Sequence, residues 1–334
     1  MSLLVLLLLV QSARVERVFD KSINATHVVA LLRNSTETRV TFHLRIEEKA
    51  DRNRAWELAI LDRPYGYEFV RADSGSVVVR GESDYGFKGP YLKLFFDLQS
   101  RKVLKQIEYT DTALSQISNA DAQRVLGIPS EIVNLLKMPF ESLSPFEPSK
   151  PPQEFLGTPL PQSTYMDFAR ARPARVRDGY VKEGTAIEEV IGQHQTVGDK
   201  IWFGKNFYDG EGTTGVGAIG YFDRTTKKYD FLRIREVTDW SVSSLVVEGD
   251  TLWAGLVTHP EGADRAGGLI RHDLKSEVTR KYRVGEVIYR IQRVGDSLYL
   301  NTSNGIYVLK DERLTRYLIE PDIDGKPVII SEQL

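Results

Sequence analysis

A short turn-and-strand phrase recurs three times in the second half of the chain, and this repetition narrows the accessible architectures more than any other feature. The copies are VGDKIWFG at 197–204, EGDTLWAG at 248–255 and VGDSLYLN at 294–301. Their leading glycines, Gly198, Gly249 and Gly295, stand 51 and 46 residues apart, inside the period of propeller blades. Each copy is followed by a loop and a further strand that runs into a polar turn: GAIGYFDRTTKKY from Gly217, GGLIRHDLKSEVTRKY from Gly267 and NGIYVLKDERLTRY from Asn304. The order predicts a four-stranded antiparallel unit whose apolar and aromatic residues, such as Ile201, Trp202 and Phe203, pack between stacked sheets. One such unit cannot bury both of its faces. It needs neighbours, and a ring of them leaves few open edges.

Nearer the N-terminus, GSVVVRG at 75–81 followed by GPYLKLFFDLQSRKVL at 89–104 has the same order and reads as a fourth copy. Upstream, HVVALLRN, TRVTFHLRIEE and AWELAILD alternate as strands do and supply either a fifth blade or part of a β-sandwich. The expected fold is therefore all-β, a propeller of about five blades. Six or seven blades, or three blades packed with an N-terminal β-sandwich, are the alternatives. Between Thr110 and Glu188 the strand pattern stops. Asp121–Leu126 and Ser130–Lys137 read as short helices. Seven of the 14 prolines then fall between Pro139 and Pro161, which predicts an irregular linker or a strap over the surface. The expected divisions are 1–13, 14–110, 111–188 and 189–334.

Composition removes several function classes. Lys and Arg number 44 against 46 Asp and Glu, a net charge of -2, so there is no overall basic field for nucleic acid. There is no cysteine, hence no disulfide, thiolate metal site or cysteine nucleophile. The apolar run Leu3–Val10, followed by small and polar residues, has the form of a signal-peptide core with a cleavage point after Ser12 or Ala13. No basic residue precedes it, and a truncated signal or a buried first strand are the other readings. It is far shorter than the roughly 18 residues of a membrane-spanning helix. A secreted or periplasmic protein without an integral membrane span is expected.

In a stack of repeats, equivalent loops gather on one face. The loops between second and third strands are long in three copies: KNFYDGEGTTGV at 205–216, VTHPEGADRA at 257–266 and ESDYGFK at 82–88. They offer Tyr208, Asp209, Glu211, Asp264, Arg265 and Tyr85 as ligand-binding candidates, a mixture of aromatic and charged groups suited to recognition. Ordinary turn chemistry accounts for the same Gly, Asp and Pro content. His259 is the candidate general base, since imidazole titrates near neutrality and Glu261 stands close in sequence to orient it. The fragments DIDG at 322–325 and DGEG at 209–212 stop short of a calcium-loop pattern and read as turns. No cofactor or metal is expected, with Ca or Mg as the alternative if the molecule is catalytic.

The recurring Gly-Asp, strand, Gly, loop, strand, Asp order over 190–320 resembles bacterial propeller repeats of the NHL-like and streptogramin-lyase-like superfamily. The resemblance implies a ring of blades and no particular activity, because the paired histidines and glutamate of the lyases have no matching positions in this sequence. The reading that follows is an extracytoplasmic propeller acting as a binding or scaffold module for a protein, peptide or glycan. The alternative is a lyase or hydrolase at the mouth of the ring, with His259 and Glu261 as its catalytic residues.

Overall fold

The structure is a computed structural model, and it describes residues 14–36, 39–61, 66–82, 88–110, 120, 123, 130, 133–134, 154–161, 188–208, 213–258, 265–302 and 305–334. Nearly all of these lie in antiparallel strands. The first sheet is β1 (Arg14–Ser22), β2 (His27–Ser35), β3 (Val40–Glu48) and β4 (Ala55–Leu61), and the second is β5 (Tyr67–Ala72), β6 (Ser76–Glu82), β7 (Lys88–Asp97) and β8 (Lys102–Tyr109). A two-stranded hairpin, β9 (Glu154–Phe155) and β10 (Thr158–Pro159), follows. The third sheet is β11 (Glu188–Val197), β12 (Lys200–Tyr208), β13 (Thr213–Asp223) and β14 (Lys228–Leu232). The fourth is β15 (Ser241–Glu248), β16 (Thr251–Thr258), β17 (Arg265–Asp273) and β18 (Thr279–Tyr282). The fifth holds β19 (Ile288–Val294), β20 (Ser297–Thr302), β21 (Ile306–Lys310), β22 (Arg313–Pro321) and β23 (Pro327–Gln333). Within each sheet the strands follow chain order, the meander expected of a propeller blade.

The repeated sequence phrases are turn chemistry. Val197 faces Lys200, Glu248 faces Thr251 and Val294 faces Ser297, so each Gly-Asp pair is a two-residue hairpin. Gly198, Gly249 and Gly295 have φ of 57°, 56° and 55°, and a side chain at any of the three would meet nothing within 4 Å. Glycine is there for its backbone angle, at the first central position of a hairpin turn. The aspartates of the following turn hold backbone instead. Asp223 Oδ1 accepts from the N–H groups of Thr225 (2.9 Å) and Thr226 (2.8 Å), and Asp273 Oδ1 from those of Lys275 (3.0 Å) and Ser276 (2.7 Å). Asp97 does the same for Gln99 and Ser100, as the fourth-copy reading requires.

A second repeated feature is invisible in the letters. The first strand of each of the five larger sheets carries a register shift, at Arg17/Phe19, Phe69/Arg71, Ile191/His194, Val242/Ser244 and Ile288/Arg290. A bulge adds local twist, so each of the five sheets has extra twist in its opening strand. The all-β, propeller-type architecture is therefore carried by five equivalent sheets among the described residues.

The chain divides into two compact units, 1–113 with 320–328, and 114–319 with 329–334. In the first unit, the first and second sheets share one core built from Leu31, Leu44 and Ile46 against Val77, Val79 and Leu94, and Lys21 Nζ of β1 donates to Val70 O of β5 (3.1 Å). In the second unit, Trp202 lies between the third and fourth sheets with Leu245 and Leu252, and Trp253 lies between the fourth and fifth with Leu298 and Leu300. The matching tryptophans are inter-sheet packing, as their positions in the repeat predict.

Two expectations for the middle segment need correction or restriction. The proline-dense stretch is not irregular throughout: β9 and β10 pair within it, and Phe155 packs among Phe203, Phe222 and Tyr229 of the third sheet. The Tyr229 hydroxyl accepts from the Phe155 N–H (3.1 Å) and donates to Thr158 O (2.6 Å), fixing both arms of the hairpin. Ser130, Val133 and Asn134 are helical, inside the second expected helix, while most of both helix spans and the apolar segment 1–13 lie outside the described residues.

Candidate functional site

The second unit sets the geometry of the candidate site. Gln195 Oε1 of β11 accepts from Val247 N of β15 (2.7 Å), Glu248 of β15 pairs with Arg293 of β19, and Gln193 Nε2 of β11 donates to Tyr289 O of β19 (2.8 Å). The three bulged first strands thus lie together with equivalent residues at the same level. The Gly-Asp turns fall at one end of the stack and the stems of the second-to-third-strand loops fall at the other.

Those stems are longer than the sequence suggests. Lys205–Tyr208 belong to β12 and Thr213–Val216 to β13, with Tyr208 facing Thr213. Val257 and Thr258 end β16, and Arg265 opens β17 opposite Thr258. Residues read as loop at these places are strand, which shortens the loops. Tyr208 is half-buried at the end of its strand. The backbone of Arg265 is in place, but its side chain lies outside the description, as do Asp209, Glu211, His259, Glu261 and Asp264. Tyr85 of the first unit lies outside it as well.

Directly below the stems sits a layer of buried polar side chains that sequence reasoning missed. Lys205 is 0% exposed and pairs with Glu189 of β11, with its ammonium over the Phe207 and Phe231 rings at 5.5 and 5.3 Å. A cation so buried requires both the carboxylate and the ring faces. Asn206 crosses between sheets. Its Oδ1 accepts from Val242 N (2.7 Å) and its Nδ2 donates to Val242 O (3.0 Å), which satisfies both backbone groups of a residue at the β15 bulge. Beside it Ser241, Ser243 and Ser244 are fully buried, and their hydroxyls have no hydrogen-bond partner among the described residues.

Glycine gives these strands room to approach. A side chain at Gly204 would meet Val242 Cβ at 2.8 Å, and one at Gly255 would meet Ile288 Cβ at 2.9 Å. The closing glycine of the repeated phrase is thus a contact with the next sheet. The third copy has Asn301 there.

Other titratable candidates resolve into structural roles. His272 is buried, with Nδ1 2.9 Å from Thr279 Oγ1, and burial pushes its pKa below the usual histidine value. Asp322 Oδ1 of the DIDG fragment accepts from the N–H groups of Asp324 and Lys326, an ordinary turn between β22 and β23. Among the described residues no three His, Asp or Glu side chains gather as metal ligands, and no helix is long and apolar enough to cross a membrane.

No protein-family model and no curated protein matches the chain. Solved structures similar to it include the extracellular domain of a protein described as a one-component system from B. thetaiotaomicron, at 12% identity and a TM-score of 0.28, covering 90% of this chain and 33% of that one. The β-propeller domain of the trilobed protease from Pyrococcus furiosus is similar at 9% identity and a TM-score of 0.22, over 96% and 94% of the two chains. The acylaminoacyl peptidase of Pyrococcus horikoshii follows at 9% and 0.26, over 96% and 57%. The chain thus spans about a third of the first of these proteins. Values this low leave the fold assignment resting on the sheets themselves.

Proposed function

We propose that this protein is an extracytoplasmic binding module that holds a protein, peptide or glycan at the loop end of its second unit. What supports the reading is one observation: the stems of two long loops leave the same end of the stack, above a layer of buried polar groups that fixes their positions. Pre-organised stems lower the ordering cost of presenting loops to a ligand, and the side chains they carry, Tyr208, Asp209, Glu211, Asp264 and Arg265, are the types found in recognition surfaces.

The test is binding of the full chain to peptide and glycan arrays, followed by titration calorimetry on the hits. Tyr208→Ala and Arg265→Ala are expected to weaken binding at least tenfold, or about 1.4 kcal/mol, while Asp199→Ala and Asp296→Ala at the opposite end leave it unchanged. Loss through the second pair alone contradicts the proposal. Turnover of a bound ligand that disappears in His259→Ala, with or without added Ca or Mg, would replace it with the lyase or hydrolase reading.

A further inference from the structure

In the first unit a half-buried arginine and a buried lysine converge on one carboxylate from far along the chain. Arg71 on β5 and Lys93 on β7 converge on Glu320, whose side chain is 2% exposed. Arg71 engages the carboxylate with two prongs, Nε to Oε1 at 3.3 Å and Nη2 to Oε2 at 2.8 Å. Lys93, itself 3% exposed, places Nζ 2.8 Å from Glu320 Oε2 and donates to Pro321 O at 2.8 Å. The other side of the guanidinium is taken by Asp73 and by Ser76 Oγ (3.2 Å), and Asp73 is held in turn by the N–H groups of Gly75 and Ser76. Asp73 therefore serves Arg71, and Lys93 depends on Glu320.

An ammonium taken out of water without a counter-charge is among the costliest groups a fold can contain. Glu320 lies 249 residues beyond Arg71 in the chain. Glu320 and Pro321 end β22 and Pro327 opens β23, so the residues that group with the first unit are the tip of this hairpin. The second sheet itself contains only β5–β8, so the returning segment adds no strand to it. Side-chain charge takes the place of backbone pairing.

We propose that the end of β22, the start of β23 and the turn between them are latched onto the second sheet by Glu320, and that this sheet tolerates the buried Lys93 only because the Glu320 carboxylate meets it. The test is amide hydrogen exchange, read segment by segment on the full chain. In Glu320→Gln the amides of β6 and β7 are expected to exchange at least about tenfold faster, with β15–β17 unchanged. In Lys93→Met/Glu320→Met, which removes the lone cation together with its partner and leaves Arg71 to Asp73, protection of β6 and β7 returns to within about threefold of the parent. Unchanged exchange in Glu320→Gln overturns the latch, and so does an equal acceleration in both units. Should Glu320→Gln fail to fold, the double variant decides: protection in it upholds the latch, and its loss refutes it.

Discussion

Asn206→Val tests how the sheets are joined. In the next repeat the same position is Val257, which packs against Val287 and Tyr289, so valine suits the strand, and what the substitution removes is the amide. Both bonds to Val242 disappear, at 2.7 and 3.0 Å, leaving a buried N–H and a buried C=O at a bulge where the neighbouring strand is out of register. Each unsatisfied buried group costs about 1–3 kcal/mol, and the added apolar burial returns about 1 kcal/mol, for a net loss of roughly 1–5 kcal/mol. In a chain of this size a midpoint moves by about 1.4 °C per kcal/mol, so the melting midpoint falls by roughly 1–7 °C. The assay is thermal unfolding by far-UV circular dichroism with urea unfolding beside it, and faster exchange of β15 amides is expected in parallel. A midpoint within about 1 °C of the parent, with β15 exchange unchanged, would refute the claim that this amide carries the joint.

Gly204→Ala puts a methyl 2.8 Å from Val242 and is expected to cost about 1–3 kcal/mol by overpacking; Gly204→Ala/Val242→Ala recovers part of that loss, whereas strict additivity in urea unfolding contradicts the contact. Ser244→Ala deletes a buried hydroxyl without a partner among the described residues, so stability stays level or rises by up to about 1 kcal/mol, and a loss above that size shows that the hydroxyl is bonded. Stability against pH follows two groups of residues. His272 is depressed by burial below its ordinary 6.5; it stays neutral when folded while the unfolded chain takes up the proton, so stability is full above 6.5 and declines as pH falls through that value. Asp97 is depressed below 3.8 chiefly by the Ser100 hydroxyl, and Asp223 and Asp273 by the N–H groups of Thr226 and Ser276, so a second loss begins as pH falls through 3.8. Melting midpoints from pH 8 to 3 check both, and His272→Gln removes the upper decline alone.

What could be read from the sequence was local turn chemistry. The Gly-Asp hairpins and the Asp-held turns recur because each has a narrow residue requirement, and they located four of the five sheets. The first sheet escaped clear assignment because its turns use other residues: Asn24 Oδ1 accepts from Thr26 and His27 N–H, and Asp51 from Asn53 N–H. The bulges are properties of register between strands and leave no residue signature. Lys205 and Asn206 were read as loop because a polar pair after a glycine usually is one; their partners, Glu189 and Val242, lie on other strands, and only the stacking of sheets brings them together. Glu320 is the extreme case, a single acidic residue whose meaning comes from two cations more than 220 residues away.

Stacking of equivalent sheets with equivalent ends together underlies both the site and the joint. The chain has no cysteine, so nitroxide labels on cysteines placed at the exposed turn residues Asp199, Asp250 and Asp296 report electron–electron distances without background. Neighbouring turns at one end of sheets packed about 10 Å apart give separations of roughly 10–20 Å for both the 199–250 and the 250–296 pair. A separation beyond about 30 Å, the length of a nine-residue strand, would place successive turns at opposite ends and contradict the account.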